Sequence, residues 1–135
     1  MVGCGYVQFD PITVLLLEDD PDVLDATTMV LEDEGFRVLA AENLDAAVEL
    51  ARGLSHCVIL LDLSLDGDAL QFVKALHALP DWDGQVLVFS AGDRLEERAL
   101  AIGADGAVPK PFDIDRLVAE LRNRTGHRGA FSPAS

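Results

Sequence analysis

The chain has 135 residues, 50% of them hydrophobic, 6% aromatic and 25% charged, with a formal net charge of −14 at pH 7. A single domain of this length buries about two-thirds of its unfolded surface without disulfide staples, and the composition excludes a disordered tail or a membrane span. So acidic a surface repels phosphate backbones and anionic lipid, which argues against direct nucleic-acid or membrane binding.

In chain order, residues 1–11 (MVGCGYVQFDP) read as an N-terminal arm without the basic start of a signal peptide. Ile12–Leu17 is a brief branched, apolar run that predicts a strand, and it runs straight into Glu18, Asp19 and Asp20. Adjacent carboxylates about 4 Å apart cost roughly 1 to 4 kcal/mol per pair, so a positive group is expected beside them. Pro21 suits a first helical position and Gly35 a helix end. Arg37–Ala40 predicts a second strand, and Asn43 caps a helix whose buried stripe is Leu44, Ala47, Val48 and Ala51, ending at Gly53. Cys57–Leu61 predicts a third strand, closed by Asp62, and Ala69, Phe72, Val73 and Leu76 form the next helical stripe. Val86–Phe89 predicts a fourth strand, followed by Ser90 and Ala91, with a helix ending at Gly103. The last strand, Ala107–Val108, is short and precedes Lys110 and Pro111. Asp113 then caps a helix striped by Ile114, Leu117, Val118 and Leu121, and a polar tail is expected from Thr125.

Other conspicuous residues read as structural. The chain has two cysteines, and Cys4 and Cys57 lack metal-ligand spacing, which suggests free thiols in a reducing, cytoplasmic setting. His56, His77 and His127 share no spacing, Trp82 is expected to pack on the sheet edge, and Arg122, Arg124 and Arg128 suit the negative end of a helix.

Strand and helix alternate five times, which implies an α/β fold with a parallel sheet covered by helices on both faces. In such sheets the ligand site lies beyond the carboxyl ends of the strands. Glu18, Asp19 and Asp20, Asp62, Ser90 and Lys110 all fall at that edge. Several carboxylates together form a hard-oxygen site suited to Mg²⁺, and a lysine and a hydroxyl beside them can hold phosphoryl oxygens.

With "VLLLEDD", "VILLDLSL", "VLVFSAG" and "GADGAVPKPF" in that order, the chain resembles the receiver domain of two-component response regulators, from about Ile12 to about Arg124. The resemblance implies a flavodoxin-like (βα)5 fold with strand order 2-1-3-4-5. It implies domain limits of 12–124, with an arm before and a tail at 125–135. It also implies Asp62 as phosphoacceptor, with Mg²⁺ held by Asp19 directly, Glu18 through water, Asp62 and the backbone carbonyl of Ser64. Ser90 would donate a hydrogen bond to a phosphoryl oxygen and Lys110 would pair with the same group, its bond to Pro111 being cis in the family pattern. Asp20 would cap the first helix. The implied function is a phosphorelay switch that takes its phosphoryl group from a histidine kinase or histidine phosphotransfer protein and passes the signal to a downstream protein. It would not be an enzyme beyond its own phosphorylation and dephosphorylation.

The sequence departs from the family pattern at three places. The loop "LSLDGDAL" has Asp66 near the usual proline and Ala69 in place of a common glycine, and the stretch from Ser90 to Lys110 is a residue or two short, so the fourth helix is expected to be short or displaced. Ala107 stands where an aromatic switch residue is usual. Output is therefore expected to run through movement of Gly92–Arg94 and the fourth helix, or through phosphotransfer alone. Small residues at Ser64 and Gly92 are expected to admit water and shorten the life of the phosphoryl group. Two other readings are a pseudoreceiver that binds a partner without being phosphorylated, and an aspartate-nucleophile phosphatase. The second of these usually carries another Asp two residues after the nucleophile, where this chain has Ser64.

Overall fold

Strand and helix alternate from Thr13 to Ala130 in a computed structural model that describes residues 12–54, 57–65, 67–80, 82–90, 92–109 and 114–130. The strands are β1 (Thr13–Leu17), β2 (Arg37–Ala41), β3 (Val58–Asp62), β4 (Gln85–Ser90) and β5 (Gly106–Pro109). The helices are α1 (Pro21–Asp33), α2 (Leu44–Arg52), α3 (Ala69–His77), α4 (Leu95–Ile102) and α5 (Ile114–Ala130). All strand pairs are parallel, in the order β2-β1-β3-β4-β5.

Burial explains the runs. Every residue of β1 and β3 is buried, whereas the edge strands β2 and β5 keep exposed positions. Because successive strand residues face opposite sides, the sheet divides the core in two. Leu15, Leu17, Ile59, Leu61, Val86 and Val88 pack with α2, α3 and the Leu95–Ala99 stripe of α4. Val14, Leu16, Val58, Leu60, Leu87 and Phe89 pack with Leu31 of α1 and with Leu117, Val118 and Leu121 of α5. Trp82 packs against the first cluster, as its apolar ring suggests.

Local signals act where the sequence places them. Asp20 accepts hydrogen bonds from the N–H groups of Asp22 (2.9 Å) and Val23 (3.4 Å), and Pro21 is the first residue of α1. Asn43 accepts from Ala46 at 2.8 Å. Gly35 and Gly103 follow α1 and α4 with φ of 97° and 81°. The short β5 gains support from Asp105: its carboxylate accepts from the Val86 N–H and its own N–H donates to the Val86 carbonyl, each at 2.8 Å. Asp113, the predicted cap of α5, lies outside the described residues, as do Cys4, His56, Asp66 and Ala91.

Several boundaries differ from expectation by a residue or more. Strands β3 and β4 each extend one residue further, so that Asp62 and Ser90 are their last residues; side chains there inherit the rigidity of the ladder. The predicted tail is also later, because α5 continues past Arg124 to Ala130. Basic residue types at a helix C-terminus complement the macrodipole, which favours that continuation. Arg122 binds elsewhere: its Nη2 donates to the Glu34 carbonyl at 3.0 Å and lies 3.3 Å from the Glu34 carboxylate, with the guanidinium over the Phe36 ring. It therefore satisfies the C-cap of α1 and fastens α5 to it.

Candidate functional site

The buried ends of β1 and β3 bring three carboxylates together. Leu17 pairs with Leu61, so the residues that follow them, Glu18 and Asp62, are neighbours across the sheet edge. Glu18 is 4% exposed and Asp62 2% exposed, while Asp19 faces solvent. One carboxylate oxygen from each of Glu18, Asp19 and Asp62 lies within 4.8 Å of the others. Asp20, next in sequence, turns away to cap α1. Hard oxygen donors at this separation fit a divalent cation such as Mg²⁺ or Ca²⁺ and offer nothing to a soft metal.

Backbone geometry fixes these carboxylates. Glu18 Oε2 accepts the Asp20 N–H at 3.2 Å. Beyond Asp62 the chain turns at once: the Leu63 N–H donates to the Phe89 carbonyl at 3.0 Å and the Leu65 N–H to the Asp62 carbonyl at 3.1 Å. That turn brings Ser64 back onto Asp62, where its N–H (2.9 Å) and its hydroxyl (2.8 Å) both donate to Oδ1. Two donors on one oxygen offset part of the cost of keeping a carboxylate nearly out of water.

Ser90 supplies the hydroxyl at this edge. Asp62 pairs with Phe89, which sets Ser90 one residue further along the neighbouring strand. Its side chain is nearly buried, and its Oγ accepts from the Gly92 N–H and from Arg98 Nη1, both at 3.3 Å. Lys110, the remaining predicted member of the site, lies outside the described residues together with Pro111. The structure thus brings together Glu18, Asp19, Asp62 and Ser90 at the edge where the sequence places them.

Residues 14–122 match the family model described as the response regulator receiver domain. The chain belongs to that family. This receiver is 36% identical over 113 residues to the KDP operon transcriptional regulatory protein KdpE of Escherichia coli, covering 81% of this chain and 49% of KdpE. It spans about half the length of the curated relatives it matches. Among solved structures, the receiver domain of the sensor histidine kinase PA1611 from Pseudomonas aeruginosa, solved with a magnesium ion in its active-site cleft, superposes with a TM-score of 0.77 at 23% identity over 87% of this chain and 99% of that one. The receiver domain of Saccharomyces cerevisiae Ssk1, solved with the histidine phosphotransfer protein Ypd1, gives 0.80 at 16% identity over 94% and 97%. Both likenesses establish the same doubly wound fold.

The departures from the family pattern have structural counterparts. The loop after Asp62 turns on Gly67, at φ 127°, and Asp68 caps α3 by accepting from the Gln71 N–H at 3.1 Å. Helix α4 is eight residues long, as the short stretch before Lys110 predicts, and its N-cap Arg94 sits in the left-handed region with no side-chain cap bond. Ala107 lines a cleft of about 380 Å³ with Leu95, Pro109 and Arg116. At Gly92, where open access for water is expected, Arg98 stands close: a Cβ built on Gly92 would lie 3.1 Å from its Nη1.

Two side-chain contacts have no place in the sequence reading. For Ser64 only the carbonyl is expected to act, yet its hydroxyl grips Asp62; an Asp-x-Ser pattern at a turn is the available signal, since short hydroxyl side chains readily bond to polar groups two residues away. Arg98 has no local signal, because its contact with Ser90 depends on where α4 packs.

Proposed function

We propose that this receiver is a phosphorylatable switch of a two-component phosphorelay, with Asp62 as the phosphoacceptor. The observation that carries the reading is the nearly buried Asp62 held at the end of β3 beside Glu18 and Asp19, with the Ser90 hydroxyl on the next strand. Glu18, Asp19 and Asp62, with the Ser64 carbonyl, would hold Mg²⁺. That ion, when bound, supplies positive charge that lets an anionic phosphoryl donor approach the carboxylates.

The chain's own residues account for the chemistry as follows. Ser64 holds Oδ1 of Asp62 and so fixes the orientation of the carboxylate. An Asp62 carboxylate oxygen attacks the phosphorus of a phosphohistidine; the P–O bond forms, the P–N bond breaks, and its electron pair leaves with the imidazole, which takes up a proton. Ser90 donates its hydroxyl proton to a phosphoryl oxygen, and Lys110 pairs with the same group. Water later attacks the phosphorus, releasing inorganic phosphate and restoring the carboxylate. Apart from these two reactions on itself the protein is not an enzyme.

The donor is a histidine kinase or a histidine phosphotransfer protein; the Ssk1 receiver was solved with a partner of the latter kind. The signal passes to a downstream protein through Gly92–Arg94 and α4. No described helix is long and apolar enough to cross a membrane, and a cytoplasmic location fits such partners. The acidic surface argues against nucleic-acid contact by these 135 residues. KdpE, named as a transcriptional regulatory protein, is about twice as long as its match here.

Treatment with acetyl phosphate and Mg²⁺, followed by borohydride reduction and peptide mapping, tests the assignment. Reduction of the acyl phosphate should convert Asp62 to homoserine. Conversion at another acid would remove Asp62 as the acceptor, and conversion nowhere would favour the pseudoreceiver reading.

A further inference from the structure

Ser90 Oγ has two polar partners among the described residues, and both are donors: the Gly92 N–H and Arg98 Nη1. A serine hydroxyl has two acceptor lone pairs and one proton. When both lone pairs are engaged, the O–H bond must point away from Gly92 and Arg98, and the proton remains available for donation. One of the two donors is charged, and hydrogen bonding to a cation polarises the hydroxyl and strengthens its own donation.

The contact depends on features particular to this chain. Arg98 lies on α4, three residues past Leu95 and one before Ala99, both buried, so the helix is anchored by neighbours of the arginine. The connection from β4 is only Ala91–Arg94 and ends with Arg94 at φ 59°. A non-glycine residue in that region costs about 1 kcal/mol or more, offset by the placement of α4 that it permits. Gly92 leaves room for the guanidinium to reach Ser90. Among the described residues Arg98 has no carboxylate partner; its recorded polar contact is the Ser90 hydroxyl.

We propose that Arg98 is a positioning residue that reaches from α4 to hold the Ser90 hydroxyl with its proton free for a phosphoryl group on Asp62. The proposal rests on the phosphoacceptor reading of Asp62 and adds to it a direct mechanical link between the site and α4. With Ala107 in place of an aromatic side chain, this link supplies a route by which movement of Ser90 toward a phosphoryl group pulls on the first turn of α4.

A double-mutant cycle on phosphorylation rate tests it, using the full chain, acetyl phosphate and Mg²⁺. Arg98→Ala should slow phosphoryl uptake by about three- to tenfold in the Ser90 protein, the range for loss of one charge-assisted hydrogen bond at a partly exposed site. In a Ser90→Ala background the same change should have almost no effect, and Arg98→Lys should recover part of the rate. Thermal midpoints of the variants should stay within about 3 °C of wild type, because Arg98 is exposed. An equal loss in both backgrounds would show that Arg98 acts by charge on the donor, and no loss in either would show that it has no role; each overturns the proposal while leaving Asp62 as acceptor. A wild-type protein that takes up no phosphoryl group overturns both readings together.

Discussion

Ser64 donates twice to one oxygen of Asp62, through its N–H at 2.9 Å and its hydroxyl at 2.8 Å. The hydroxyl half of that grip is removable without touching the backbone. Ser64→Ala leaves a 2%-exposed carboxylate with one donor fewer, so it should lower unfolding free energy in metal-free buffer by about 1 to 2 kcal/mol. Urea titration in EDTA reads the change, and Ser64→Thr should retain most of the stability. An unchanged midpoint for Ser64→Ala would mean that the hydroxyl bond contributes nothing.

One carboxylate oxygen from each of Glu18, Asp19 and Asp62 lies within 4.8 Å of the others, so a divalent cation that binds there stabilises the fold. Wild type should gain about 2.7 kcal/mol at a hundredfold excess of Mg²⁺ over its Kd, and Asp62→Asn, with a carboxylate missing, should gain less. Thermal melts with EDTA and with Mg²⁺ would decide the matter, and equal shifts in the two proteins would place the metal elsewhere.

The loop between β3 and α3 depends on Gly67. Its φ is +127°, and an added Cβ would approach Leu44 Cδ1 to 2.7 Å. Gly67→Ala combines a backbone conformation that L-residues avoid with a clash against α2, and should cost roughly 1 to 3 kcal/mol. In a Leu44→Ala background the steric part of that cost should disappear, leaving the backbone part. A Gly67→Ala protein as stable as wild type would contradict the geometry of this turn.

Burial pushes the Cys57 thiol up to about 11 from 9.0. A raised folded-state value favours the neutral thiol, so the stability it contributes is complete below the unfolded value of 9.0 and is lost as pH rises through about 11. The unfolding midpoint should fall between those limits, and Cys57→Ala should show a shallower fall. At pH 8 the native thiol should resist alkylation, and it should become reactive in denaturant. Rapid labelling of Cys57 in the native protein at pH 8, resolved from Cys4 by peptide mapping, would contradict its burial.

The fold was legible because period and punctuation agreed. The Leu15–Leu17 and Ile59–Leu61 runs are buried on both faces, which only a covered parallel sheet explains, and Asn43 and Pro21 act where they stand. The acids of the site were legible because they terminate those runs. Ser64 was legible only in part, since a side chain that folds back two residues depends on the turn it belongs to. Arg98 was not legible at all: sequence spacing cannot show that a four-residue connection and a left-handed Arg94 carry α4 close enough for its arginine to meet Ser90. The end of α5 was placed too early because the residues from Thr125 read as a polar tail, whereas the helix continues to Ala130.

Intact mass after incubation with acetyl phosphate or phosphoramidate and Mg²⁺, with wild type beside Asp62→Ala, tests the central claim most directly. A gain of one phosphoryl group by wild type alone, abolished by EDTA, is the predicted result. Equal gain by both proteins would place the acceptor elsewhere, and no gain by either would contradict the switch chemistry assigned to this site.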